Sequence, residues 1–170
     1  MEFTKVISDR KSIRKYDTAK PVPEDVLNRV LDAGRLAPSA CNIQPSHFIV
    51  IKDPAVKEKL KEAYPREWFW TAPVIIVGCV DVKSAYKRKD GKDFSEVDIT
   101  IAMDHLILAA ENEGLGTCWI GAFDNAKSRE ILNVPEHVNI VAMTPIGYPA
   151  ESPSARTRKR LGEIVHKDRW

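Results

Sequence analysis

Residues 97–112 read V-D-I-T-I-A-M-D-H-L-I-L-A-A-E-N. Apolar positions here (Val97, Ile99, Ile101, Ala102, Met103, Leu106, Ile107, Leu108, Ala109 and Ala110) wrap nearly the whole way round a helix. A helix with no polar side cannot face water, so it must lie in a core or against another subunit. Residues 73–80, P-V-I-I-V-G-C-V, form a continuous β-branched run. Such a run is typical of a strand covered on both faces. A 170-residue chain built round these two segments is expected to form one domain over 1–170. A chain of that size buries roughly 70% of its unfolded surface.

Weaker signals fill in the rest. Thr4 to Ser8 suits a short opening helix presenting Phe3, Val6 and Ile7 on one face. Pro23 fits a first helical position, with Glu24 and Asp25 in the positive first turn. Val26, Leu27, Val30 and Leu31 follow at helical spacing, and Gly34 and Pro38 mark the exit. Residues 47–51 read as a buried strand and 54–64 as a charged helix anchored by Val56 and Leu60. Residues 83–94 are polar and aperiodic, which suggests a mobile surface segment. Gly114 and Gly116 end the long helix and lead into a short strand over 117–120. Asp124 can cap a helix through Ile131 and Leu132, and 138–146 is a further strand. Beyond Pro149 a polar tether ends in an apolar L-G-E-I-V-H and Trp170, a pattern that suggests docking onto another surface such as a partner chain. Helices alternate with strands, so the class is α/β or α+β.

Several functions are disfavoured by composition. A formal net charge of +2, with basic residues in two separated clusters and no interleaved aromatics, argues against nucleic acid. Three widely spaced cysteines, Cys41, Cys79 and Cys118, contain no C-x-x-C pair, so neither zinc nor an iron–sulfur cluster is supported. A reducing cytoplasm is the simplest compartment. The first residues lack the apolar core of a signal peptide, and the longest apolar run, 72–80, is too short to span a membrane.

What remains is binding chemistry. D-R-K-S-I-R-K-Y at 9–16 gathers Arg10, Lys11, Ser12 and Arg14, and R-T-R-K-R at 156–160 forms a second basic cluster. Arg156 and Arg158 are two residues apart, which places both side chains on one face of an extended chain. Two clusters meeting one phosphate explain more than solvated charge does. Between Pro38 and Pro45 lie Ser39, Asn42 and Gln44, with amides that can donate to and accept from a flat heterocycle. A polar connecting loop explains them equally well. G-L-G-T-C-W-I-G at 114–121 follows a helix, so it is not a dinucleotide fingerprint. Its glycines suit tight turning and close approach to a ring. The histidines His47, His105, His137 and His166 show no ligand spacing, and His105, on an apolar helix, reads as a core histidine. Abundant binding chemistry with little catalytic chemistry suits an enzyme whose cofactor carries the reaction.

These segments, R-K-S-I-R-K-Y, A-P-S-A-C-N-I-Q-P-S-H-F, G-L-G-T-C-W-I-G, P-I-G-Y-P and R-T-R-K-R-L-G-E-I-V-H, resemble in order and spacing a short member of the flavin-dependent nitroreductase family. The resemblance covers nearly the whole chain. It implies an α+β fold with a central mixed sheet flanked by helices, in an intertwined homodimer holding FMN at the subunit interface. It further implies reduction by NADH or NADPH and a small-molecule electron acceptor such as a nitro compound or quinone. Arg10, Lys11, Ser12 and Arg14 would match contacts to the phosphate, ribityl chain and ring edge. Pro38, Ser39, Asn42 and Gln44 would match the loop given by the other subunit. Ile120 and Gly121 would match the backbone facing the reactive ring, and Arg156 and Arg158 the pair closing on the phosphate. Relatives with this fold also perform dehalogenation and dehydrogenation, and flavin storage with little turnover is a further alternative. The family often carries an aromatic residue where this chain has Ser46. Tyr64, Trp68, Phe69, Trp70 and Tyr86 could stack on a substrate or pack in the core.

Overall fold

In β2 (Val74–Asp81) successive side chains point to opposite faces, and both faces are apolar. Val74, Ile76 and Val80 join one hydrophobic cluster, while Ile75, Val77 and Cys79 join another. That double burial is why the run carries no polar alternation. The computed structural model describes residues 2–154 and 156–170.

Four strands form one sheet in the order β1-β2-β4-β3. They are β1 (Ser46–Ile51), β2, β3 (Gly116–Thr117) and β4 (Val138–Gly147). Every pairing among them is antiparallel, with a register shift between Gly78 and Cys79. Parallel pairing enters through an isolated bridge between Ser12 and Thr117, so the mixed character of the sheet rests on the N-terminal segment.

Helix α1 (Phe3–Asp9) buries Val6 and leaves Phe3 and Ile7 exposed, so its expected apolar face is largely uncovered in one chain. Helices α2 (Glu24–Arg35) and α5 (Ser95–Asn112) cover one face of the sheet, contributing Leu27, Val30, Ile99, Ala102, Met103, Leu106 and Ala110 to its core. Helices α3 (Pro54–Leu60), α4 (Glu67–Trp70) and α6 (Asn125–Ile131) cover the other. Pro23 is the N-cap of α2, one residue before the expected position. Asp124 caps α6, accepting from the Lys127 amide at 3.0 Å. Gly114 closes α5 at φ +74, a left-handed turn that brings the Leu115 amide back to the Ala110 carbonyl at 2.8 Å.

Helix α5 departs from the all-round burial its sequence suggests. Its buried residues fall on one side, while Val97 is 40% exposed and Ile101 and Leu108 are half-buried. Spacings of four and seven place these three on a second apolar stripe. His105 is exposed, so it is not a core histidine. Residues 83–94 form an ordered hairpin, with Phe94 N–H donating to the Tyr86 carbonyl at 3.0 Å and Arg88 N–H to that of Lys92 at 2.9 Å. Phe69 is fully buried, and Tyr64 packs edge-on to both Trp68 and Phe69. These aromatics serve the core. Among the described residues, no helix is long and apolar enough to cross a membrane.

Candidate functional site

The segment 10–17 is laid against the end of the sheet by backbone bonds. Ile13 N–H donates to the Thr117 carbonyl at 2.8 Å, and Asp17 N–H to that of Tyr148 at 2.9 Å. Ala150 N–H returns to the Lys15 carbonyl at 2.9 Å. The buried Tyr16 hydroxyl donates to the Ile13 carbonyl at 2.6 Å, fixing the turn between them. With Ile13 and Tyr16 facing inward, Ser12 and Arg14 are displayed on either side of Ile13. Gly116 makes this approach possible. A Cβ there would lie 2.6 Å from Ile13 Cγ1 and 2.8 Å from Ile13 Cβ.

The chain then returns through Pro149, and Pro153, Ser154, Arg156 and Arg158 face the displayed segment across a cavity. A cavity of about 650 Å³ is lined by Arg10, Lys11, Ser12, Arg14, Arg156 and Arg158 together with Ser8 and Ser154. Both basic clusters therefore face one space. None of these five cations forms a salt bridge among the described residues. Arg14 instead sits 5.9 Å from the Trp68 ring centroid, and its amide donates to a Glu151 carboxylate oxygen. Five cations outnumber the nearby carboxylates Asp9, Glu111 and Glu151, and such an excess of positive charge focused in a concave wall is an anion site in electrostatic terms. It fits a phosphate monoester.

Beside it runs residues 117–121. Cys118 is buried, and burial pushes its thiol up against the opposing pull of Arg14, the Ser12 hydroxyl and Arg10. The sulfur therefore stays a thiol near neutral pH and is no activated nucleophile. Ile120 is 3% exposed and exchanges both backbone bonds with Met143, donating at 2.9 Å and accepting at 3.0 Å. Its amide is thus engaged, and its part is to hold the next residue. Gly121 is exposed and opens on space, a Cβ there meeting only Trp119 Nε1 at 3.9 Å.

The polar loop lies elsewhere. A 3-10 turn, Ala40–Asn42, carries it, and Cys41, Asn42 and Gln44 all have φ between 52 and 59. Three left-handed non-glycine residues within four positions mark a strained, over-determined loop of the kind found at functional sites. Ser39 Oγ accepts the Gln44 amide at 2.9 Å, and Asp98 Oδ1, on the first turn of α5, accepts the Ala40 amide at 2.9 Å. Pro38, Ser39 and Gln44 line a second cavity of about 530 Å³ with Asp98. Sequence reasoning passed over Asp98. Its one signal was a carboxylate on the side of α5 that otherwise reads as apolar.

The loop is anchored at Asp98, near the start of α5, whereas the basic cavity lies at the opposite end, where Thr117 follows Asn112 by five residues. From 98 to 112 the helix axis rises about 21 Å. One chain therefore gathers Arg10 to Arg14, Arg156 and Arg158 around a single space and keeps the 38–45 loop apart from them.

A sequence model of the nitroreductase family matches residues 7–68 and 61–148. The chain belongs to the nitroreductase family. A relative in Methanothermobacter thermautotrophicus with the provisional name NADH dehydrogenase/NAD(P)H nitroreductase is 36% identical over 175 residues, covering 100% of this chain and 88% of its own. The FMN reductase [NAD(P)H] of Bacillus subtilis is 31% identical, covering 99% of this chain and 74% of its own. The crystal structure of a nitroreductase family protein from Clostridium difficile 630 superposes with a TM-score of 0.91 at 30% identity, covering 100% of both chains.

Proposed function

We propose that this chain is an FMN-dependent oxidoreductase, acting as a homodimer, that draws reducing equivalents from NADH or NADPH and passes them to nitro compounds, quinones or related small acceptors. FMN held there would supply the redox chemistry, serving as hydride acceptor from the nicotinamide and electron donor to the acceptor in a ping-pong order. The observation that carries the reading is the cavity at which Arg10, Lys11, Arg14, Arg156 and Arg158 converge with none of them in a salt bridge among the described residues. Arg10, Lys11, Ser12 and Arg14 would meet the phosphate, ribityl chain and ring edge, and Arg156 and Arg158 would close on the phosphate. The Gly121 amide would stabilise negative charge gathering at the ring edge.

The loop 38–45 would come from a second copy. The loop is tied to α5 near one end and the basic cavity lies near the other, with about 21 Å of helix rise between residues 98 and 112, a placement that favours a loop given by another copy. The uncovered stripe of Val97, Ile101 and Leu108, together with exposed Leu161, Ile164, Val165 and Trp170, supports the same assembly. Surface of this kind is what a second copy buries. The three thiols are free, which fits a reducing cytoplasm.

The test is direct. Apoprotein titrated with FMN should bind it and quench its fluorescence, and anaerobic NADH or NADPH should bleach the bound flavin. An acceptor screen of nitroaromatics, quinones and halogenated phenols then separates reduction from dehalogenation. A protein that takes up FMN and is not bleached by either nicotinamide is a storage protein, and one that takes up none defeats the flavin reading.

A further inference from the structure

Asp98 is a charged side chain in the wrong place for stability. It is 2% exposed on the buried side of α5. One oxygen, Oδ1, accepts the Ala40 amide at 2.9 Å, and the other, Oδ2, is buried without a hydrogen-bond partner. An orphaned buried carboxylate oxygen costs free energy that an apolar residue at the same site would not. Asp98 is not a member of the hydrophobic cluster that its neighbours Ile99, Ala102 and Met103 build, and it lines the second cavity instead.

What it touches explains its presence. Residues 41, 42 and 44 sit in left-handed backbone that their side chains disfavour. Inside the loop, the Asn42 amide returns to the Ser39 carbonyl at 3.0 Å, the Ile43 amide to that of Ala40 at 3.2 Å, and the Gln44 amide to Ser39 Oγ. Those bonds close the loop on itself and do not locate it. Among the described residues, the Ala40–Asp98 bond is the hydrogen bond that joins residues 39–44 to the rest of the protein. Beyond it the loop is tethered at its exit, where Asp81 N–H donates to the Pro45 carbonyl at 2.9 Å. A carboxylate on a rigid helix thus sets where Asn42 and Gln44 are presented.

We propose that Asp98 is a positioning residue for the flavin, acting through the Ala40 amide to hold the 38–45 loop in the geometry that meets the ring. This rests on the FMN reading above. The required feature is an acceptor oxygen at the Oδ1 position, not the charge, so an amide should serve in its place.

Three variants isolate the bond. D98A removes the acceptor, D98N keeps a carbonyl oxygen for it, and A40P removes the donor while leaving the carboxylate in place. Ser39 is extended, with φ −135 and ψ 158, a conformation that accepts a following proline. FMN affinity by fluorescence titration, the visible circular dichroism of bound flavin, and apoprotein melting temperature are read for each. D98A and A40P should each weaken FMN binding by about tenfold and change the flavin dichroism alike, since each deletes the one hydrogen bond that locates the loop. The double variant should bind no more weakly than either single one, because both remove the same interaction. D98N should recover FMN affinity to within about threefold of the parent. Should D98A fail to fold, A40P and D98N carry the same comparison. FMN affinity and dichroism unchanged in A40P or folded D98A, with only melting lowered, would make Asp98 structural and overturn the proposal. Losses that add in the double variant would also overturn it. Failure of the parent protein to take up FMN is a separate outcome, which removes the flavin reading and this one with it.

Discussion

Arg10 and Arg158 come from opposite ends of the chain and face one cavity, and neither forms a salt bridge among the described residues. If they hold a phosphate, Arg10→Ala or Arg158→Ala should weaken FMN affinity by roughly 10- to 100-fold, the value of a charge-assisted bond. Neither should lower the melting temperature appreciably, because neither packs in the core. Titrations that match the parent would reject the assignment. Tyr16 lies under the same segment and has a different signature. Burial raises its phenol above the ordinary value, with the nearby Cys118 and Glu151 adding to the effect. The native state therefore keeps a proton that the unfolded chain releases above about pH 10. The contribution to stability is whole below that pH and drains as pH rises, by up to about 1.4 kcal/mol per pH unit. Urea unfolding of parent and Tyr16→Phe between about pH 9 and about pH 11 should show a steeper decline in the parent. Parallel slopes would contradict the burial of Tyr16.

Between elements, the tightest approach that matters to the site is Gly116 against Ile13. Gly116→Ala forces a Cβ to within 2.6 Å of Ile13 Cγ1. Overpacking of this kind costs about 1–3 kcal/mol, and here it would move a residue flanked by Ser12 and Arg14. Loss of FMN affinity should accompany loss of stability, both measurable on one preparation; lost stability with normal FMN affinity would uncouple Gly116 from the site. At this scale much was legible beforehand. The run at 73–80 announced a doubly buried strand by lacking alternation, and α5 announced itself as a buried helix by being apolar on nearly every side. That pattern cannot tell a core face from a face awaiting another chain, so it misplaced His105 and left Val97, Ile101 and Leu108 open between core and partner. Backbone chemistry was illegible. Nothing in the letters shows that Ile120 spends its amide on Met143, that three residues after Ala40 turn left-handed, or that Asp98 holds them.

For the whole molecule, the basic cavity and the 38–45 loop stand near opposite ends of α5, and the proposed FMN site joins them only if two copies meet. Replacing Ile101 by Asp puts a charge on the second stripe of α5 without entering the core cluster. Sedimentation should show a monomer, and the monomer should lose FMN, because a charge at the desolvated centre of an interface is strongly unfavourable. A monomer that retains FMN tightly would contradict the shared site. Sharper still is complementation between two defective proteins. One carries Arg10→Ala with Arg158→Ala, the other Asn42→Ala with Gln44→Ala. Each homodimer should bind FMN poorly. If every site joins the basic cavity of one chain to the loop of its partner, the mixed dimer contains one intact site and should recover one tightly bound, NADH-bleachable FMN per dimer. If cavity and loop serve one site within the same chain, the mixed dimer has no intact site, and its failure to recover FMN would contradict a site built between two copies.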